Sequence, residues 1–153
     1  KMNKWIKSVS LRSNFKNKIF VTIHEVKAIG VFYNGNNYVL IDEFGEVIDF
    51  VDEKKNFQYI KFFGENARVN VKDLIIKIPF SVKSLIKEAE YINKRRWNII
   101  LQNNIIIKLP ETEIKEALLQ FVEIYDSISA QERSIINSFD FRIPKKAIIK
   151  FYE

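Results

Sequence analysis

The stretch RWNIILQNNIIIKLPETEIKEALLQFVEIYDSI, residues 96–128, decides the fold class that we predict for this chain. Its first half holds two apolar runs separated by Gln-Asn-Asn, which is the pattern of a β-hairpin. Its second half is the clearest helix, with Thr112 as the expected cap. The apolar face of that helix comprises Ile114, Ala117, Leu118, Phe121, Ile124, Tyr125 and Ile128. A hairpin that runs directly into a helix favours antiparallel strands with helices between them.

Strand patterns continue from this stretch toward the N terminus. Runs of β-branched and aromatic residues alternate with turn residues, and Asn34-Gly35 is a strong hairpin signal. A polar connection is predicted at residues 51–56. The predicted strands cover residues 6–11, 18–25, 28–33, 37–41, 46–50 and 57–63.

Two segments between these strands and residue 96 carry helical spacing. Segment 66–78 predicts a helix that Pro79 ends, with an apolar face made of Val69, Leu74, Ile75 and Ile78. Segment 81–96 fits two structures. Helical spacing connects Val82, Leu85, Ile86 and Ala89, whereas Tyr91 and Ile92 lead into a region that must be sheet.

The chain closes on SFDFRIPKKAIIKFYE, residues 138–153, which predicts a last hairpin. On its final strand one face comprises Ala147, Ile149 and Phe151, and the other comprises Ile148, Lys150 and Tyr152. A strand that is apolar on both faces is either internal to a sheet or an edge that another element covers. Strict alternation of strands and helices with long crossovers is missing, so we predict an α+β, mostly antiparallel fold with two to three helices.

Composition limits the classes of function. The 153 residues are 47% hydrophobic and 29% charged, which fits one ordered domain, or one domain and a fragment. No apolar run is long enough to span a membrane, and no signal peptide is visible. A net charge of +6 would suit nucleic acid or an anionic membrane, but the basic residues are spread along the chain rather than clustered. Because the chain begins at Lys1, we expect it to be a piece of a longer protein.

The common signatures of catalysis are missing from the sequence. There is no cysteine, the single histidine is His24 on a predicted strand, and no serine sits in a nucleophile elbow. The four glycines are too far apart to cradle a phosphate. We therefore predict a protein that is not an enzyme and that has no cofactor, no metal and no catalytic residues.

Several segments, in order along the chain, resemble one family, the bacterial cell-division proteins FtsQ and DivIB. Residues 5–25 are similar to the last hairpin of the family's POTRA domain. The segments that resemble its β domain are KAIGVF (27–32), VLIDEFGEVI (39–48), YIKFFGENA (59–67), RRWNIILQNNIIIKLPE (95–111) and SFDFRIPKKAIIKF (138–151). The chain departs from the family pattern at Ala28, Gly30 and Asn104, where that pattern has proline, alanine and glycine.

The resemblance implies an organisation and a role. Residues 1–26 would be the C-terminal part of a POTRA domain, and residues 27–153 the β domain. The family is a non-enzymatic scaffold of the divisome, anchored in the inner membrane by one span and facing the periplasm. Its last strands bind FtsB, and through FtsB the protein FtsL, by β-strand addition. The implied contact residues are Lys94, Arg95, Arg96, Arg142, Ile143, Lys145, Ala147, Ile149 and Phe151.

Two other hypotheses remain at this point. One is a basic nucleic-acid-binding module, for which KRRW (94–97) offers cations beside an aromatic ring. The alternative interpretation of KRRW is a strand that begins with exposed arginines and a buried Trp97. The other hypothesis is a POTRA-type module of an outer-membrane assembly or secretion factor.

Overall fold

A computed structural model describes residues 3–51 and 59–152, and the description that follows refers to those residues. The strands are β1 (Ile6–Ser13), β2 (Ile19–Glu25), β3 (Ala28–Tyr33), β4 (Tyr38–Asp42), β5 (Val47–Val51), β6 (Ile60–Phe63), β7 (Ile86–Ile92), β8 (Arg96–Leu101), β9 (Ile106–Lys108), β10 (Ile136–Asp140) and β11 (Ile148–Phe151). The helices are α1 (Ala67–Ile75), α2 (Phe80–Lys83), α3 (Ile114–Ser127) and α4 (Ala130–Ser134). Residues 52–56 of the predicted polar connection, and residues 57 and 58 of the strand predicted after it, lie outside the described ranges.

Nine of the strands form one twisted sheet in the order β11-β10-β9-β8-β7-β6-β3-β4-β5. Five of its eight strand pairs are antiparallel, as predicted. The other three, β3 with β6, β6 with β7, and β9 with β10, are parallel. Long crossovers therefore do occur, contrary to the sequence prediction, because α1 and α2 carry the chain from β6 to β7 and α3 and α4 carry it from β9 to β10.

The main apolar core lies between the helices and one face of this sheet. It takes Phe62 and Trp97 from the strands and Leu74, Leu118 and Phe121 from the helices, all of them buried. A smaller apolar cluster, Val31, Leu40 and Ile48, lies on the opposite side of β3, β4 and β5. One face of the sheet thus carries the main core, and the other face carries this smaller cluster.

Strands β1 and β2 pair only with each other within the described residues and form a separate two-stranded sheet. Its two faces differ, since one carries Ser8, Ser10, Arg12, Phe20, Thr22 and His24, and the other carries Val9, Leu11, Ile19, Val21 and Ile23. Every residue of both strands is exposed. A two-stranded sheet with an uncovered apolar face is only marginally stable by itself, so this hairpin needs a further element to cover it.

The helix predictions are corrected in three places, and the open choice for segment 81–96 is resolved. In α1 the buried side chains are Ala67, Val71 and Leu74, and Val69 is exposed. Segment 81–96, for which helix and strand both remained possible, holds most of α2, all of β7 and the first residue of β8. The cap of α3 is Glu113, without a side-chain hydrogen bond, rather than Thr112. There are four helices in the described chain, because a capping box between Ser129 and Glu132 starts α4, which we did not predict.

Two departures from the family pattern have a local physical cause. Asn104 has φ of 65°, a left-handed conformation that asparagine tolerates better than most residues, so it can stand where the family pattern has glycine. Gly30 is in contact with Phe62, and a Cβ built on Gly30 would overlap that ring and lie 2.5 Å from the carbonyl oxygen of Ile60. The space that an alanine would need at position 30 is therefore filled.

We expect the substitution Gly30→Ala to destabilise the fold by about 1–3 kcal/mol, because it overpacks a closed contact. The measurement is the free energy of unfolding in urea. In a Phe62→Leu background the same substitution should cost less, since a smaller side chain leaves room for the new methyl group. Equal costs in both backgrounds would show that the Phe62 ring is not what excludes alanine.

Candidate partner-binding edge

Strand β11 forms one end of the nine-stranded sheet. Its only strand partner in the described chain is β10, which it meets in antiparallel register with Asp140 opposite Ile148. The backbone N–H of Tyr152 donates to the carbonyl oxygen of Ile135 at 2.8 Å, on the β10 side. Because N–H groups alternate along a strand, those of Ile149 and Phe151 face the open side. This edge can accept a further strand.

The side chains of β11 follow the predicted faces only in part, because Phe151 shares a face with Ala147 and Ile149 and yet is exposed. Ala147 and Ile149 are half-buried against the main core, whereas Ile148 and Phe151 are exposed. Ala147 and Ile149 therefore stabilise the strand, and a partner would meet mainly the backbone, Ile148 and Phe151. Both sequence readings hold in part, because the strand has a buried face and is also an edge.

Asp140, at the end of β10, holds the side chain of Arg142. The Arg142 Nε donates to both carboxylate oxygens of Asp140, at 2.8 and 3.0 Å, and Nη2 donates to Oδ2 at 2.5 Å. The backbone N–H of Arg142 also donates to Asp140 Oδ1 at 3.1 Å. The Asp140 side chain is only 7% exposed, whereas that of Arg142 is 45% exposed. The buried carboxylate thus anchors an accessible guanidinium.

Arg96 lies near Arg142 although the two residues are far apart in sequence. Its Nη1 donates to Asn98 Oδ1 at 2.8 Å, and Asn98 stands opposite Lys108, which stands opposite Asp140. Burial, and after it the positive charges of Arg142 and Arg95, lower the pKa of the Arg96 guanidinium. The structure therefore brings together Arg95, Arg96 and Arg142 from two of the predicted segments, and we call these residues the arginine cluster.

The pKa values of the anchoring pair shift as an ion pair requires. The hydrogen bond from the Arg142 side chain is the main cause that lowers the pKa of Asp140, and the same bond raises the pKa of Arg142. The positive charge of Lys108 lowers the pKa of Asp140 further. The carboxylate is therefore stabilised in its charged form.

The remaining predicted residues lie around the cluster. Lys94 is in the tight β7–β8 turn, where its Nζ makes an ion pair with Glu65 Oε1 at 2.5 Å, so part of its charge is neutralised within the chain. Ile143 begins the turn that leads to β11 and is exposed. Lys145 has φ of 61° at the third position of that turn, after Pro144. Lys145 is exposed, and it lies in the turn between Arg142 and β11.

The sequence prediction missed two members of this site, Asp140 and Lys108. Residues two apart on a strand share a face, so Asp140 followed by Arg142 was a usable signal for an ion pair. Lys108 had no such signal, because its neighbour Asp140 arrives by the parallel pairing of β9 with β10, which the sequence did not predict. Trp97 of KRRW is buried in the core, so its ring is not available to stack on a base.

A mixed sheet that ends on an uncovered strand is an architecture found among protein-interaction modules. Residues 30–142, well over half of the chain, match the profile of the family described as cell division protein FtsQ/DivIB, C-terminal. The chain belongs to this family. None of the helices in the described parts of the chain has the length and apolar character needed to cross a bilayer.

The curated relatives of this chain carry the same family name. The cell division protein FtsQ of Rickettsia felis is 28% identical over 158 residues, which cover 99% of this chain and 57% of the relative. The FtsQ of Rhizobium meliloti is 26% identical over 149 residues, which cover 95% of this chain and 48% of the relative. The chain thus spans about half the length of the curated relatives that it matches.

A solved structure is also similar in part. It is the major extracytoplasmic domain of the cell division protein DivIB from Geobacillus stearothermophilus, in its trans isomer. The match has a TM-score of 0.48 at 11% identity and covers 69% of this chain and 95% of that one.

Proposed function

We propose that this chain is the partner-binding part of a divisome scaffold, and that it binds FtsB, and through FtsB the protein FtsL, by adding a strand of FtsB to β11. The observation that carries this proposal is an edge strand without a second neighbour in the described residues, preceded by a connection that holds Arg142 of the arginine cluster. Main-chain hydrogen bonds along an edge supply affinity, and side chains beside it supply specificity. The cluster would select a strand that is flanked by acidic residues.

The wider setting follows from the same proposal. Residues 1–26 would be the end of a POTRA domain whose remainder covers the apolar face of the β1–β2 hairpin, and residues 27–153 would be the β domain. The whole protein would be held in the inner membrane by one span, with this part in the periplasm at the septum. The role is assembly of the division machinery rather than catalysis.

Strand addition predicts a strict dependence on alternate backbone N–H groups of the partner. We expect a synthetic peptide from the C-terminal half of FtsB to bind the purified chain. Methylation of every second backbone nitrogen should abolish binding in the set that faces β11, because those donors form the new ladder. Methylation of the other set should leave most of the affinity. Fluorescence anisotropy of the labelled peptides measures both.

The two methylated peptides are matched controls for each other, since they differ only in which nitrogens carry the methyl groups. Equal affinity of both would contradict strand addition, and no binding of the unmethylated peptide would contradict FtsB as the partner. On the protein side, Phe151→Pro removes an outward N–H and should weaken binding more than Phe151→Ala does. Binding of an oligonucleotide that disappears at high salt would instead support the nucleic-acid hypothesis.

A further inference from the structure

We infer that Asp140 is a positioning residue for partner binding: it holds the Arg142 guanidinium in place at the open edge and leaves its outer N–H groups for an acidic side chain of the bound strand. This inference rests on the proposed function. It assigns a role in binding to a negatively charged residue, whereas the other charged residues of the site are lysines and arginines.

The geometry of the pair is the first support. A guanidinium has five N–H donors. Asp140 engages Nε–H and one N–H of Nη2 along one side of the group, which leaves three. Within residues 3–51 and 59–152 these three make no hydrogen bond to another residue. The planar fork that remains, formed by Nη1 and Nη2, matches a second carboxylate.

The position of the pair is the second support. Asp140 stands opposite Ile148, the first residue of β11, so the guanidinium is held beside the start of the edge strand. The Asp140 carboxylate is itself fixed, because its side chain is buried and it stands in register with Lys108 on β9. An arginine that is not anchored would lose rotamer entropy when it bound a partner. Arg142 is already ordered by Asp140 before the partner binds, so this loss of entropy is smaller.

The charge environment is the third support. Arg142 and Arg95 both repel Arg96, since after burial their positive charges are the causes that lower the pKa of Arg96. Without Asp140, Arg142 would be driven away from Arg96 and toward solvent. The Asp140 carboxylate therefore keeps Arg142 close to Arg96 in spite of their repulsion. A flexible surface arginine would not stay in that position.

The substitution Asp140→Asn separates positioning from simple electrostatics, because the two predict effects of opposite sign. The substitution raises the net charge from +6 to +7, so electrostatic attraction alone predicts tighter binding of an acidic FtsB peptide. Positioning predicts weaker binding, by about tenfold, because the charged bidentate anchor of Arg142 is lost. The measurement is the dissociation constant of the unmethylated peptide at two salt concentrations.

Glu90→Gln is the matched control. Glu90 is exposed on β7, acts on the same Arg96, and makes the same change in net charge when it is neutralised. We expect this variant to bind the peptide as tightly as the parent or slightly more tightly. Weaker binding in both variants would contradict a specific role for Asp140, and so would unchanged or tighter binding of Asp140→Asn.

An Arg142→Ala background shows whether Asp140 acts through Arg142. In that background Asp140→Asn should have no further effect on binding, whereas a general structural role would weaken binding by the same factor in both backgrounds. If Asp140→Asn does not fold, Arg142→Lys tests the same point. It keeps the charge but not the fork, and it should lose about tenfold in affinity. Failure of the parent chain to bind the peptide would contradict the proposed function, whereas normal binding with an indifferent Asp140 would contradict this inference alone.

Discussion

Replacement of Arg142 with glutamate should weaken binding of the FtsB peptide by roughly 100-fold. The new carboxylate would stand beside the buried Asp140, which loses the hydrogen bonds of its ion pair. The guanidinium that would meet an acidic partner side chain is lost in the same step. The dissociation constant is measured with the labelled peptide, and the folded state of the variant is checked by thermal unfolding.

Lys83→Glu provides the control for charge. Lys83 is exposed on α2 and is not part of the arginine cluster, yet its replacement changes the net charge by the same two units. We expect this variant to lose less than about threefold, because exposed charges far from an interface are screened by salt. Similar losses in the two variants would show that the affinity depends on overall charge and not on the cluster.

Replacement of Phe139 with alanine should destabilise the fold by about 3–5 kcal/mol, since it leaves a cavity in the most densely aromatic part of the core. Phe139 is completely buried on β10. Its ring centroid lies 5.2 Å from that of Phe121 and 6.5 Å from that of Tyr125, both on α3, and 6.4 Å from that of Phe141. The measurement is the free energy of unfolding in urea, followed by both fluorescence and circular dichroism.

Leu119→Ala on α3 is the matched control for that loss. Leu119 is 47% exposed and faces away from the strands, so the same kind of truncation should cost less than about 1 kcal/mol. The Phe139 variant should also bind the FtsB peptide more weakly, because Phe139 stands opposite Ile149 and supports β11. A loss below about 1 kcal/mol for Phe139→Ala would contradict the central place that we give this ring.

Local patterns carried most of the fold prediction. The hairpin at residues 96–108, helix α3 and the closing hairpin follow from alternation, helical spacing and turn residues, each of which acts within a dozen positions. Failures occurred where the outcome depends on distant contacts. Val69 has helical spacing but lies away from the sheet, and only the packing of α1 decides between it and Val71.

The site was predictable in its parts but not in its arrangement. The sequence resemblance implied Arg96 and Arg142 as contact residues, and the structure explains their proximity through the parallel pairing of β9 with β10. Parallel neighbours are connected through long crossovers, so no short-range pattern reveals them. Asp140 was not predicted as part of the site for a different reason. An acidic residue in a cationic site appears unfavourable until its hydrogen bonds to Arg142 are known.

The strand order also has a consequence for the way the molecule is made. From β7 to β11 every strand lies next to the strand that precedes it in the sequence. A chain that emerges from its N-terminal end can therefore extend the sheet one strand at a time, and each newly completed strand covers the edge of the last. With each added strand the open edge moves along the sheet, and within the described residues it ends at β11. On the proposed function, the strand that FtsB adds to β11 would continue the same sequence of additions.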